Sequence, residues 1–218
     1  SRRQVMEENT INDWGLNGQF KLTDRLDLQL DANYTKSHKT NLDVSSFGST
    51  FADQELDLTG DLPVITPHKP NTLAATWASP NATLVSATDA QYFQNPNVQF
   101  WRAAMDHIED STGREYAFKA DLAYNFDDGS FLKKLKVGAR YADRDQTVRY
   151  TTYNWGAISE VWSGTAVSVQ QGGLSNVDFY TFPDFFRGQT KGPVGGYYYN
   201  KDLLSGYADA STYFKSLN

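Results

Sequence analysis

The side chains best suited to acid–base or metal chemistry are the three histidines, and they lie far apart in the sequence. His38, His68 and His107 show no two-ligand spacing such as i, i+4. The chain has no cysteine, which excludes disulfides, thiolate metal sites and cysteine nucleophiles. It also lacks the motifs of serine hydrolases, phosphate-binding loops and zinc proteases. We therefore expect no enzyme, no metal site and no cofactor.

Aromatic side chains between the predicted strands are better candidates, because they are interleaved with Asp, Asn and Gln. Flat rings stack on sugar rings, and short polar side chains hydrogen-bond to hydroxyl groups. The predicted loops contain only two arginines, Arg102 and Arg187. This low number favours a neutral sugar over an anionic ferric siderophore as the ligand. The alternative is that these aromatics only pack the loops together. The candidate ligand-binding residues are Trp101, Tyr153, Trp155, Trp162, Tyr197 and Tyr198.

The elements that must position these residues are β-strands, and residues 26–36 show the pattern most clearly. Leu26, Leu28, Leu30, Ala32 and Tyr34 alternate without error with polar residues. Successive side chains on a strand point to opposite faces, so this segment has one apolar and one polar face. A half-buried strand of a soluble protein would show the same alternation.

Four segments share this pattern, at about residues 11–22, 26–36, 115–126 and 135–153. The first three are close to the roughly 9–11 residues that a tilted strand needs to cross a bilayer, and the fourth is predicted to continue beyond the membrane after Tyr141. Aromatic residues lie near the strand ends and aliphatic residues lie in the middle, as on the outside of a membrane barrel. The polar face, with residues such as Asp27 and Asp31, is expected to face the lumen. The predicted lipid-facing residues are Leu16, Leu28, Leu30, Leu122 and Val137.

The connections alternate between short turns and very long loops. Short turns join the first and last strand pairs, whereas the loops cover about residues 37–106 and 154–218. Bacterial barrels have short periplasmic turns and long external loops, whereas sandwich turns recur more evenly. We therefore predict an all-β chain: an antiparallel transmembrane β-barrel segment with about four wall strands and two long extracellular loops. Residues 1–218 would be a partial outer-membrane β-barrel domain, an internal piece of a longer polypeptide.

Net charge and mean hydropathy exclude two further classes of protein. The formal net charge of −6 offers no basic stripe for phosphates, so a nucleic-acid partner is not expected. The mean hydropathy is −0.58 and no apolar run has the length of a membrane helix, which excludes a helical membrane protein. Alternating barrel strands are compatible with such an average, since only every second residue contacts lipid.

Residues 111–144 resemble the barrel domain of TonB-dependent outer-membrane receptors, in particular those of Caulobacter-, Xanthomonas- and Sphingomonas-like bacteria. An alternating strand, a turn at 127–130 and the strand start Leu-Lys-Val-Gly-Ala-Arg-Tyr at 135–141 carry the resemblance. The segment Phe-Pro-Asp-Phe-Phe-Arg-Gly at 182–188 is similar to a loop element of that group. Together these matches cover about a fifth of the chain.

The resemblance implies a barrel of about 22 strands with a plugged lumen. It also implies a location in the bacterial outer membrane, contact with its lipid, and coupling to the TonB system through a plug domain outside these residues. The implied function is uptake of a nutrient ligand, with an oligosaccharide as the expected cargo. The alternatives are a siderophore receptor of the same fold, a passive porin-like channel, and a soluble secreted carbohydrate-binding β-protein.

Overall fold

A computed structural model describes residues 1–70, 87–152, 155–160, 166–190, 192 and 195–217. These residues form mainly antiparallel β-sheet with two short α-helices, which confirms the prediction of an all-β chain. None of the described helices has the length and apolar character needed to cross a membrane. The elements are β1 (Arg2–Lys21), β2 (Leu26–Ser49), β3 (Asp53–Asp57), β4 (Val64–His68), α1 (Asp89–Phe93), β5 (Phe100–Asn125), β6 (Lys134–Thr147), β7 (Val177–Thr181), β8 (Gly195–Tyr199) and α2 (Tyr207–Ser216).

The chain divides into two compact units. The first, here called the sheet unit, consists of Glu7–Asn41 and Ile108–Thr151. The second, here called the aromatic-core unit, consists of Ser1–Met6, Leu42–His107 and Thr152–Asn218.

Four strands form one sheet in the order β1-β2-β5-β6. The connection between β1 and β2 is tight, since the Leu22 N–H donates to the Leu26 carbonyl over 2.8 Å. The turn between β5 and β6 is closed by the Ser130 N–H, which donates to the Asp127 carbonyl over 2.9 Å. Both short turns occur where the polar links of the sequence, Thr-Asp-Arg at 23–25 and Asp-Asp-Gly-Ser at 127–130, predicted them.

Four strand boundaries differ from the prediction. Strand β1 begins at Arg2 rather than near residue 11. Strand β2 continues to Ser49 and β5 begins at Phe100, so residues 37–49 and 100–106 are strand rather than loop. Strand β6 ends at Thr147 and does not reach residue 153. Backbone pairing does not require alternation, and residues 37–49 carry polar side chains in successive positions. The period-2 signal therefore stops before the strand does.

The aromatic-core unit contains a helix within the predicted loop 154–218. Helix α2 places Tyr207, Ala210, Phe214 and Leu217 at helical spacing, and Ala210 and Phe214 are buried. This i, i+3, i+7 pattern was the available sequence signal for the helix. The predicted loop also contains strands β7 and β8, which form an antiparallel hairpin with Val177 opposite Tyr199.

A histidine joins the β3–β4 hairpin to α1 within the aromatic-core unit. The His68 Nδ1 atom lies 2.9 Å from Asp89 Oδ2, and its Nε2 atom lies 3.5 Å from Glu55 Oε2. Asp89 also accepts a hydrogen bond from the Lys69 backbone N–H over 2.9 Å. Hydrogen bonds with Asp89, and then with Glu55, raise the pKa of His68 above its usual value of 6.5.

We expect this contact to weaken as the pH rises. Because the folded-state pKa of His68 is raised, its stabilising effect is complete below the unfolded pKa and is lost as pH passes through the folded value. NMR titration of the His68 ring should therefore give a pKa above 6.5, and Asp89→Asn should lower it. Asp57→Asn, which removes a carboxylate bonded to Thr59 on the same hairpin, is the control. An unchanged His68 pKa in Asp89→Asn would contradict this assignment.

Candidate functional site

The apolar face of the sheet unit is defined by the register of β5 and β6. Leu122 pairs with Val137, and Tyr124 pairs with Leu135. Directly paired residues point to the same face, so these side chains form one continuous apolar surface. All four side chains are exposed.

Aromatic residues form a row across three strands at one end of this surface. The rings of Trp14 and Tyr34 are stacked with centroids 5.4 Å apart, and Tyr34 contacts Tyr116 at 4.7 Å. Tyr124 and Phe126 form a second aromatic pair further along β5, at 4.9 Å. Tyr116 and Tyr124 are eight residues apart, which corresponds to about 27 Å along a strand. Allowing for strand tilt, this spacing suits the apolar band of about 25 Å that barrel walls present to lipid.

The opposite face is polar and partly shielded from solvent by its own ion pairs. Asp121 is 7% exposed, whereas its neighbour Leu122 is 41% exposed. Asp121 lies 2.7 Å from Lys119 Nζ and 3.3 Å from Lys136 Nζ. Glu115 pairs with Arg140 and Arg144 on the adjacent strand. On β5, therefore, the charged face is the more enclosed one, whereas β6 is exposed on both faces.

The predicted lipid-facing residues occupy the apolar face with different exposures. Leu16, Leu30, Leu122 and Val137 are exposed, whereas Leu28 is half-buried. Large apolar side chains are normally the most buried residues of a folded protein. Extended apolar surfaces of this kind mark contact with a partner or with a membrane.

Two of the predicted ligand-binding residues belong to the hydrophobic core instead. Trp101 is 1% exposed and Trp155 is 4% exposed, so neither presents a ring to a ligand. Both contact Phe214 of α2, with ring centroids 5.2 and 5.8 Å apart. The alternative, that loop aromatics pack against one another, describes these two residues. Tyr153 and Trp162 lie outside the described residues.

The remaining two predicted residues, Tyr197 and Tyr198, point to opposite faces of β8. Tyr197 packs against the core cluster, and its hydroxyl donates to the Gln94 carbonyl over 2.9 Å. Tyr198 pairs with Asp178 of β7 and therefore points to the other face of the hairpin. Burial raises the pKa of Tyr198, so its phenol is neutral at physiological pH.

The face that Tyr198 shares with Asp178 borders a cavity of about 480 Å³, here called the aromatic groove. The ring centroid of Tyr180 lies 5.3 Å from that of Phe182 and 6.3 Å from that of Tyr198, and both ring pairs are arranged edge to face. Asn200 lines the same cavity and donates to Asp178 Oδ1 over 3.4 Å. The alternation of residues 177–182, in which Asp178, Tyr180 and Phe182 share one face, was the sequence signal for this groove.

Two arginines of the N-terminal segment complete the aromatic groove, and both have partners in the aromatic-core unit. Arg3 forms a two-point ion pair with Asp43, in which its Nε atom lies 2.9 Å from Asp43 Oδ1. Arg2 donates a hydrogen bond to the Tyr199 backbone carbonyl. The positive charge at this cavity is therefore offset by the Asp43 and Asp178 carboxylates.

The chain matches no protein-family model, and it has no match among the curated proteins. Its sites must therefore be interpreted from their own geometry. In the part of the chain that the structure describes, no group of three or more His, Asp or Glu side chains is arranged to hold a metal ion. The two features with functional geometry are the exposed apolar face of the sheet unit and the aromatic groove.

Proposed function

We propose that the sheet unit is part of the wall of a transporter in the bacterial outer membrane, of the TonB-dependent type, which takes up a nutrient ligand. The single observation that carries the proposal is the inverted polarity of strand β5. Its more enclosed face holds Asp121 and Glu115, which form ion pairs with Lys and Arg side chains, whereas its exposed face holds aliphatic and aromatic side chains that pair with those of β6. In a barrel wall, the apolar face contacts lipid and the charged face lines the lumen.

The aromatic row supports a membrane location over a soluble β-protein. A soluble sandwich would cover its apolar face with a second sheet, and the aromatic residues of that face would have no reason to form a row. Here Trp14, Tyr34 and Tyr116 cross three strands at one level, where amphipathic rings favour a lipid–water interface.

The outer strands of the sheet support a larger assembly. Within the described residues, β1 and β6 each pair with only one neighbour along their length in this sheet. Unpaired backbone groups at such edges cannot remain unsatisfied in hydrocarbon. We therefore expect further strands to flank β1 and β6 in the membrane, and we expect these strands to close a barrel.

The energy coupling and the cargo rest on the resemblance and on side-chain chemistry. Residues 135–141 lie in β6 and directly follow the short turn after β5. The barrel strands of TonB-dependent receptors, as the resemblance implies, begin in the same way. Coupling to TonB through a plug domain outside these residues is part of the proposal. An oligosaccharide is the proposed cargo, because the aromatic and uncharged polar side chains outside the sheet unit suit sugar rings and hydroxyls.

Flotation tests the membrane location of the protein. After reconstitution with phospholipid vesicles and a wash in alkaline carbonate, the protein should float with the vesicles in a density gradient. An integral wall resists the wash, because its apolar face is buried in hydrocarbon. A protein that stays soluble without detergent and remains at the bottom of the gradient would contradict the proposal and favour the soluble carbohydrate-binding alternative.

A further inference from the structure

We propose that the aromatic groove binds a ring of a neutral oligosaccharide, which stacks on Tyr180 or Tyr198 and hydrogen-bonds to Asp178 and Asn200. The choice of a nutrient sugar rests on the proposed uptake function, whereas the site itself rests on the β7–β8 hairpin. This site uses residues different from the buried tryptophans Trp101 and Trp155.

The ring geometry provides a stacking surface. Tyr180 and Tyr198 are nearly perpendicular, with an interplanar angle of 88°, and Phe182 is also nearly perpendicular to Tyr198. In an edge-to-face pair only one of the two rings has a face covered by its partner. Tyr180 is 59% exposed, so its ring is accessible to the axial C–H groups of a sugar, which it attracts through its negative π-face.

The polar groups lie beside these rings at positions suited to hydroxyl groups. Asp178 is directly opposite Tyr198 in the register, so its carboxylate and the Tyr198 ring share one face. Asn200 donates to Asp178 over 3.4 Å and to the Ser175 carbonyl over 3.3 Å. Both bonds are long, so sugar hydroxyls can replace or bridge them without leaving a strong bond unmade.

The charge balance favours a neutral ligand over an anionic chelate. The Arg3 guanidinium is held by Asp43 through two hydrogen bonds, and Asp178 adds a second carboxylate to the groove. An anionic ligand would approach the Asp178 carboxylate, and it could pair with Arg3 only by displacing Asp43, which leaves Arg2 as its cation. A neutral sugar requires neither step, and its hydroxyls can both donate to Asp178 and accept from Asn200.

The size of the groove sets the length of sugar that it holds. Its volume of about 480 Å³ lies at the lower end of the roughly 300–1,000 Å³ of small-molecule sites. A groove of this size accommodates one or two sugar rings, with the rest of a chain extending into solvent. We therefore expect tetrasaccharides to bind only slightly more tightly than disaccharides of the same linkage.

Saturation-transfer difference NMR tests the proposal with cellotetraose, maltotetraose, xylotetraose and mannotetraose as neutral probes and tetragalacturonate as the anionic probe. We expect at least one neutral probe to bind at millimolar concentration, with saturation concentrated on the C–H groups of one ring face. Tyr180→Ala and Tyr198→Ala should each weaken binding at least tenfold, whereas Tyr198→Phe should retain it.

Tyr150→Ala is the matched control, because Tyr150 is 60% exposed and Tyr180 is 59% exposed. Removal of Tyr150 should leave binding unchanged. The proposal is overturned if no neutral probe binds, if tetragalacturonate binds more tightly than all of them, or if binding survives both alanine variants in the groove. Flotation separates the two proposals: a protein that floats but binds no sugar contradicts only the groove, and one that binds sugar but does not float contradicts only the membrane wall.

Discussion

Arginine in place of Leu30 is expected to lower the stability of the protein in lipid bilayers by about 2–4 kcal/mol. Leu30 is exposed on β2 and lies four residues from Leu26 and four from Tyr34, which places it at the middle of the apolar band. At that depth a guanidinium has neither water nor a carboxylate partner, and it must distort the bilayer to reach either. The midpoint of denaturant unfolding in vesicles measures the effect.

Gln29→Arg is the matched control, since Gln29 is the preceding residue and points to the polar face. Gln29 already donates to Asp31 there over 3.4 Å, so a guanidinium would gain a carboxylate neighbour. We expect this variant to unfold within about 0.5 kcal/mol of the unmodified protein, as surface substitutions usually do. Equal unfolding midpoints for Leu30→Arg and Gln29→Arg would contradict lipid exposure of Leu30.

Alanine in place of Phe214 is expected to lower the free energy of unfolding of the aromatic-core unit by about 3–5 kcal/mol. Phe214 is fully buried and contacts Trp101, Trp155 and Tyr199, whose rings cannot close the resulting cavity without leaving their own contacts. Hydrogen exchange measures the loss at the Trp101 and Val169 backbone amides, which donate to the carbonyls of Val167 and Gln99. Both amides should exchange faster in the variant.

Phe131→Ala is the control for Phe214→Ala, because it deletes the same side chain at a position that is 99% exposed. Removal of Phe131 creates no cavity, so we expect a change in unfolding free energy below about 0.5 kcal/mol. If Phe214→Ala left the exchange of both amides unchanged, the assignment of Phe214 to the centre of this core would be wrong.

The strands of the sheet unit could be predicted because the environments on their two faces differ. Residues 26–36 alternate without interruption, and in residues 115–125 only Ala117 and Ala123 depart from the alternation; both segments lie within single strands of the sheet. The short turns were also predictable, since Gly129 and the polar residues beside it favour a tight reversal.

The extensions of β2 and β5 could not be predicted from alternation, because their pairing depends on distant residues. In the sheet unit, His38 contacts Asp110 at 2.7 Å and Lys39 contacts Glu109 at 3.1 Å. These partners are about 70 residues apart in sequence, and no local pattern indicates such contacts. In these extensions polar side chains occur on both faces of the strand, so the alternation of apolar and polar residues that predicts a strand is absent.

The burial of the aromatic residues could not be predicted from their residue type. A ring suited to stacking on a sugar is equally suited to packing on another ring, so composition could not separate Trp101 from Tyr198. Trp101 is buried because α2 covers it, whereas the sequence pattern predicts a loop for the residues of α2. The alternation in β7, by contrast, would have placed Tyr180 beside Asp178 without any knowledge of the tertiary structure.

The most direct test of the membrane wall is spin-label accessibility at two adjacent residues of β6, Lys136 and Val137. These 218 residues contain no cysteine, so Lys136→Cys and Val137→Cys each add a single label to them. In vesicles, we predict that the label at residue 137 collides mainly with molecular oxygen, which concentrates in hydrocarbon, and the label at residue 136 mainly with a water-soluble nickel chelate. Nickel accessibility that is high and equal at both positions would show that the apolar face is in water, and it would contradict the membrane wall.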